Sequence, residues 1–163
     1  MTNTKTWTVY LSGEIHTDWR EEIEQATQAA GLPVRFSAPV TDHLASDDCG
    51  VEILGAEPNK YWHDHKGAMV NAIRTRTLIS DADIVVVRFG EKYRQWNAAF
   101  DAGYAAALGK SIIVVQLPEH DHALKEVDAA ALAVAREPGQ VADILAYVVN
   151  GTLPGASAAQ AAE

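Results

Sequence analysis

The sequence has little cysteine, a shortage of positive charge and no long apolar run, and each shortage removes a class of protein. A single cysteine, Cys49, has no partner for an intrachain disulfide, so nothing demands an oxidising compartment. Lys and Arg number 13 against 22 Asp and Glu, a formal net charge of −9 at pH 7. That balance argues against a nucleic-acid partner, because displacing counterions from a phosphate backbone takes a basic face. A local basic pocket for one phosphate survives this argument. No stretch approaches the length of a membrane-spanning helix, and the start, "MTNTKTWTVYLSG", lacks the basic opening and apolar segment of a signal peptide. The expectation is a cytoplasmic protein with no membrane partner. Internal repeats are missing as well. What is present, 48% hydrophobic and 21% charged residues in a chain of 163, is the composition of one globular domain. That domain is expected over residues 1–151. A flexible tail, "TLPGASAAQAAE", is expected over 152–163, where too little apolar surface exists to pack.

Trp7 to Ser12 alternates apolar and polar residues and meets Gly13, the pattern of a strand with a tight exit. A helix follows, capped by Thr17 or Asp18 and running through Ala30, with Ile23, Ala26 and Ala30 as its apolar stripe and Gly31 and Pro33 as its stop. "VRFSAP" is a short second strand. From Val40 to Trp62 no period is sustained, which predicts a long loop, and loops of that size often carry function. Periodicity returns from Asp64 to Ile79, a helix with Met69, Ala72 and Ile73 on one face. "DIVVVRF" and "SIIVVQL" are continuous apolar runs, suited to strands buried on both faces of a parallel sheet. The helix between them, Trp96 to Lys110, completes a βαβ unit. A last strand at Ala131 to Ala135 and a helix from Gly139 to Val149, presenting Val141, Ile144, Leu145 and Val148, bring the count to five strands alternating with helices. The fold class is therefore α/β: a three-layer doubly wound domain, Rossmann-like or flavodoxin-like, with a mostly parallel five-stranded sheet. Ligands bind such sheets outside the carboxyl ends of the strands. One rim then holds the turn after Gly13, the loop Gly90 to Gln95 and the first turns of the Trp96 helix.

That helix, "WNAAFDAGYAAALGK", is almost wholly small and apolar, yet it contains Asp101. No Lys or Arg stands three or four positions away to pair with it, and Asp is rarely buried without a partner. One reading makes Asp101 an acid at the positive end of the helix dipole behind an Asn97 cap. The other makes it a carboxylate at the edge of a pocket. Ala99, Ala102, Gly103, Ala106 and Ala107 recur at helical spacing and permit a close approach to the sheet, as tightly packed core or as the support of a site at the helix end.

"VYLSG" at Val9 to Gly13, "DADIVVV" at Asp81 to Val87 and "NAAFDAGYAAALGK" at Asn97 to Lys110 together resemble the nucleoside 2-deoxyribosyltransferase-like superfamily. "YLSGEIHTDWR" and "RFGEKYRQWNAAFDAGYAAALGK" are similar more closely to the YtoQ family within it. The resemblance spans roughly Val9 to Val149. It implies that Asp101 stands where the transferases carry a glutamate that attacks the anomeric carbon of the sugar, one methylene shorter. Tyr10 matches a first-strand tyrosine that approaches the nucleophile; its other reading is a plain sheet-face aromatic. Two departures from the pattern are visible. Gln95 stands where the transferases carry a further acid, and Thr75, with Asn71 and Arg74 nearby, stands where they use an acid on the preceding helix.

The loop "RFGEKYRQW" supplies Arg88, Lys92 and Arg94 beside Tyr93 and Trp96, just before a helix N-terminus. Cations, backbone N–H groups and aromatic faces together suit a phosphate and a ring, or else form a solvated loop. Arg74 and Arg76 sit on one helix end. Glu14, His16 and Arg20 flank the exit of the first strand, where His16 is either a proton donor or a helix cap. His63 with His65 and His120 with His122 invite a metal reading, but no further ligand has convincing spacing, so no metal and no cofactor is expected. Asp64 is a second candidate proton donor.

The reading is an enzyme acting at the N-glycosidic bond of a nucleoside or nucleotide-like ligand, with hydrolysis favoured over transfer. Asp101 and Tyr10 are its catalytic candidates. Gly13, Glu14, Asn71, Arg74, Arg88, Lys92, Arg94, Gln95 and Asn97 are its substrate-binding candidates. A catalytically silent nucleotide sensor and an oligomeric interaction protein are the alternatives. Trp7, Trp19, Trp62 and Trp96 are many tryptophans for a small acidic domain, and two lie in loops of the predicted fold. Large exposed aromatics favour interfaces. The chain is expected to form a homo-oligomer in which Tyr61 to His65 of one subunit approaches the crevice of another. Sedimentation at micromolar concentration checks this, and a monomer there removes it.

Overall fold

The uninterrupted apolar runs lie side by side in one sheet. A computed structural model of the protein describes residues 5–155. Its strands are β1 (Trp7–Gly13), β2 (Val34–Ser37), β3 (Ile84–Arg88), β4 (Ser111–Val115) and β5 (Ala133–Ala135), in the order β2-β1-β3-β4-β5 with every pair parallel. Parallel strands need crossovers, and helices supply them: α1 (Trp19–Ala29), α2 (His43–Leu54), α3 (Lys60–Asp81), α4 (Trp96–Ala107), α5 (Lys125–Ala130) and α6 (Pro138–Asn150). The period of two along β1 divides the core. Val9 and Leu11 join Trp19 and Ile23 of α1 and Val141 and Leu145 of α6 on one face. Tyr10 lies on the other face with Ile79 of α3 and Ala98, Ala102 and Ala105 of α4. This is the three-layer α/β fold. No described helix is long and apolar enough to cross a membrane. Of the expected tail, residues 152–155 are an exposed turn and the remainder lies outside the described residues.

The largest departure from the sequence reading is in the expected loop Val40 to Trp62, most of which is helical. Asp42 caps α2 by accepting a hydrogen bond from Ala45 N at 2.7 Å, and Gly55, with φ at +98°, ends it. Asn59 caps α3 through Tyr61 N at 2.9 Å, so that helix begins four residues before Asp64. Neither helix needs a broad apolar stripe here, because they pack on each other at a glycine crossing. A Cβ on Gly50 would overlap the main chain at Lys66 and Gly67, so only hydrogen fits between the two backbones. Correspondingly, Met69 and Ile73 do not face the core: they are 60% and 72% exposed.

Four smaller assignments also change. The buried side of α4 is Ala98, Ala102 and Ala105, while Gly103 and Ala107 are exposed. Gln95, not Asn97, holds the N-cap position of α4, without a side-chain cap. On α1 the buried residues are Trp19, Arg20, Ile23 and Thr27, and Ala26 and Ala30 face solvent; Val148 of α6 is likewise exposed. Alanine's small apolar area makes it a weak marker of which side is buried.

Two glycines separate packing from propensity. Gly50→Ala must push α2 off α3 and is expected to lower the unfolding free energy by about 1–3 kcal/mol, the usual range for overpacking. At Gly103, by contrast, nothing lies within 4 Å of the place a methyl group would take, and its φ is ordinary. Gly103→Ala is therefore expected to raise stability by about 0.5–1 kcal/mol through helix propensity. Urea unfolding of the two variants measures both signs.

Candidate functional site

At the carboxyl end of the sheet, β1 and β3 lie side by side while their connections leave to opposite faces. α1 packs with one half of the core and α4 with the other. A cavity of about 790 Å³ opens at this end. Its floor and near wall include Ser12, Gly13, Glu14 and Asp101. α3 contributes Asn71, Arg74, Thr75 and Arg76, and the loop before α4 contributes Tyr93, Arg94 and Gln95. Trp96, Asn97, Phe100 and Tyr104 complete the α4 side. Trp96, Phe100 and Tyr104 repeat every four residues, which aligns three rings along one stripe of the helix.

Asp101 is half-buried on that wall. Ser12 Oγ donates to its Oδ2 at 2.6 Å. Among the described residues this is its one side-chain hydrogen bond, and Oδ1 accepts none. Burial raises the carboxyl above its ordinary value of 3.8, and the Ser12 hydroxyl opposes the rise by bonding the charged form. Tyr10, two residues before Ser12, is fully buried on the same face of β1. Its phenol is pushed up to about 12, first by burial and then by the negative charge of Asp101. Thr75 lies close enough to oppose that rise, as do Arg20 and Arg74, yet Tyr10 Oη closes no hydrogen bond of normal geometry. The tyrosine is thus a neutral donor without a partner, buried next to the carboxylate.

The other sequence candidates divide. Glu14 is almost completely buried; it accepts from the backbone N–H of His16 and from Thr17 Oγ1 at 2.7 Å. Arg88 stands beside it rather than at the cavity: its Nε is 3.5 Å from Glu14 Oε2, an ion pair without a hydrogen bond. Lys92 is exposed and is not among the cavity-lining residues. Gln95 braces its own loop, accepting from Gly90 N at 3.2 Å and donating to Lys92 O at 2.5 Å. Asn71 donates to Ser46 O at 2.8 Å. Because that carbonyl can only accept, the amide is oriented and its Oδ1 is left over for the cavity. Arg74 donates to Ala38 O at 3.1 Å. Tyr93 has φ at +63°, a left-handed conformation rare for an aromatic residue, and its ring lies 4.9 Å from that of His16.

The His63 and His65 pair splits, since His63 Nε2 meets Asp48 Oδ1 at 3.0 Å while His65 faces the cavity. No three His, Cys, Asp or Glu side chains among the described residues converge in a way that could hold a metal ion. Asp64 lines the cavity too, paired with Lys60 at 2.6 Å, so part of the Tyr61 to His65 segment already serves the crevice of its own chain. Sequence reasoning missed Ser12, and it missed His43, Ser46 and Asp47 of α2. The available signals were the period of two from Tyr10 to Ser12 and the Asp42 cap.

A parallel three-layer α/β domain with a carboxylate at the strand crossover defines a class of small-molecule site. Comparison with known proteins narrows it. A family model described as nucleoside 2-deoxyribosyltransferase YtoQ matches residues 10–149. The chain is 43% identical over 140 residues to the protein YtoQ of Bacillus subtilis (strain 168), covering 86% of this chain and 95% of that one. The solved 2-deoxyribosyltransferase of Bacillus psychrosaccharolyticus has the same fold, with a TM-score of 0.52 at 15% identity over 83% of this chain and 90% of that one. The chain therefore belongs to the nucleoside 2-deoxyribosyltransferase YtoQ family.

The raised Asp101 carboxyl has a consequence for stability. A group whose folded value lies above its unfolded value favours folding fully below the unfolded value, and that advantage is lost as pH rises through the folded one. At neutral pH the buried charge therefore destabilises the fold. Asp101→Asn removes the charge and keeps an acceptor for Ser12, so it is expected to melt at a higher temperature than the wild type at pH 7. The gap should close as pH falls to the ordinary carboxylate range. Calorimetric scans across that range check the sign.

Proposed function

We propose that the protein cleaves the N-glycosidic bond of a nucleoside or nucleotide, with Asp101 as the nucleophile and hydrolysis ahead of transfer. The observation that carries this reading is a carboxylate at the cavity with one oxygen held by Ser12 and the other unpaired. Oδ1 forms a bond to the anomeric carbon while the carbon–nitrogen bond breaks and its electron pair leaves with the base. Water then attacks the same carbon, loses a proton and frees the carboxylate. The neutral Tyr10 phenol, buried beside the carboxylate and without a partner, is the donor placed to meet it as the reaction proceeds. Departure of the base requires a proton, which Gln95 and Thr75 lack the acidity to supply. His16, His43 and His65 line the cavity, and imidazole is the side chain whose ordinary titration lies nearest neutrality.

The aromatic stripe of Trp96, Phe100 and Tyr104 supports a planar ring as the second half of the substrate. Arg76 and Arg94 line the cavity and, among the described residues, neither has a side-chain partner, which suits the phosphate of a nucleotide better than the Glu14-paired Arg88 does. The silent-sensor reading draws on the tethering of Gln95 within its loop where related transferases carry an acid. Self-association belongs to the same proposal, with exposed Trp62, Met69, Ile73, Trp96 and Phe100 as its surface.

The deciding experiment is release of free base from a panel of nucleosides and nucleoside monophosphates, repeated with Asp101→Asn. Turnover is expected to fall by several powers of ten while ligand-induced thermal stabilisation survives. Unchanged turnover in that variant would remove Asp101 as nucleophile, and binding without any base release would leave the sensor.

A further inference from the structure

We infer that Ser12 is the positioning residue of this site: by holding Asp101 Oδ2 it presents Oδ1 alone to the ligand and sets how far the short carboxylate reaches. The inference rests on the nucleophilic reading of Asp101 and adds a residue and an atom to it. Four observations carry it.

Ser12 is completely buried, as the last side chain of β1 before Gly13, and its hydroxyl donates to Asp101 Oδ2 at 2.6 Å. A buried hydroxyl at the end of a strand has no ladder role, and among the described residues this hydroxyl donates to nothing else. Second, β1 stays paired with β3 through Ser12 and Gly13 after its pairing with β2 has ended at Tyr10, so the backbone at Ser12 is fixed against Val87. Its hydroxyl therefore starts from a rigid platform, whereas Asp101 sits on a helix side chain with two free torsions.

Third, alternation along β1 puts Ser12 on the same face as Tyr10, so the hydroxyl that bonds the carboxylate and the buried phenol that feels its charge stand on one strand. Fourth, no other donor competes for the carboxylate. Tyr10 lies beside it, and the cavity it faces is lined by Glu14 and His16 at the strand exit, Arg74 and Arg76 on α3, His43 and Asp47 on α2, Lys60, Asp64 and His65 at the start of α3, Tyr93 and Arg94 before α4 and Tyr104 on its own helix; among the described residues none of these donates a hydrogen bond to it. Removing the hydroxyl leaves burial unopposed and the carboxylate free to rotate. The proton-bound form is then favoured and either oxygen can face the ligand.

The test uses Ser12→Ala and Ser12→Thr, the second keeping the hydroxyl. In Ser12→Ala the carboxyl resonance of Asp101, followed by carbon-13 NMR and assigned by its loss in Asp101→Asn, is expected to titrate at higher pH than in the wild type, and Ser12→Thr is expected to restore it. That readout needs no substrate. With a substrate from the base-release panel, the acid limb of the kcat/KM profile is expected to move up in parallel, with kcat lowered by about 100-fold as for other misplaced catalytic groups and KM little changed. Combination with Asp101→Glu gives a third arm. A longer acid no longer meets Ser12 in the same geometry, so Ser12→Ala should cost far less in that background than in the wild type.

An Asp101 titration and an acid limb that both stay in place in Ser12→Ala, or equal losses in the wild-type and Asp101→Glu backgrounds, overturn the assignment. Failure of the underlying reading looks different: turnover then survives Asp101→Asn, while the NMR titration still reports whether Ser12 holds the carboxylate.

Discussion

The cavity depends on one close approach, that of the turn after β1 to the main chain of β3. Gly13 pairs with Arg88 in the parallel register, has φ at +111°, and would drive a Cβ into the Arg88 carbonyl oxygen. Glu14 N donates to that same oxygen at 3.1 Å. No side chain fits there, and the positive φ is costly for any L residue with a Cβ. Around this point the two loops interlock further: the Glu14 side chain lies where a Cβ on Gly90 would be, and Arg20, itself buried, donates to the carbonyls of Leu11, Gly13 and Glu14. A guanidinium offers five N–H groups in a fixed fork, so one residue can tie off several carbonyls where a strand ends. The rim is thereby rigid before any ligand arrives, as a site that must align reacting atoms requires.

Folding and function pull in different directions on the other side of the same rim. Burial without full pairing raises both Asp101 and Tyr10, the Tyr10 hydroxyl has no partner, and Tyr93 holds a left-handed backbone. At neutral pH the buried Asp101 charge, the unpartnered Tyr10 hydroxyl and the left-handed Tyr93 each oppose folding, and all lie at or beside the cavity. The face of the sheet covered by α1 and α6 is packed by Trp19, Ile23, Val141 and Leu145. A second group of unpartnered buried atoms, on Gln116, His120 and Asp128, lies away from the cavity, so it is the convergence of such departures with an open cavity that marks the site.

The sheet was legible because its signal is redundant. β3 and β4 are runs of Ile and Val between turn residues, and no other element accommodates them in so short a span. The rim followed from topology, since parallel strands of this order open at their carboxyl ends. What stayed hidden depends on contacts between distant residues. α2 shows little periodicity because its packing rests on Gly50 against Gly67, a main-chain contact that carries no apolar side chain. The exposed side of α3 read as core because Met69 and Ile73 have helical spacing whether they meet the sheet or solvent. Arg88 and Arg94 are equivalent in sequence, and only the buried Glu14 separates their roles. Ser12 was overlooked because it reads as the polar last residue of an alternating strand, and nothing in the sequence joins it to Asp101, 89 residues further on.

Asp101 is a short acid, and that shortness has a structural counterpart in the helix that bears it. α4 turns Ala98, Ala102 and Ala105 toward the sheet, each buried. A helix faced with alanine carries no long side chains to hold it away from the strands beneath, so its backbone settles lower than a helix faced with leucine would. On this helix the aspartate spans the gap to Ser12 on β1 and accepts a 2.6 Å hydrogen bond from it. A glutamate starting from the same backbone has to fold back or pass the serine to avoid it. The packing surface of α4 governs how closely its backbone can approach the strands, and that approach limits the length of side chain that can bring a carboxylate to the serine at the end of the strand.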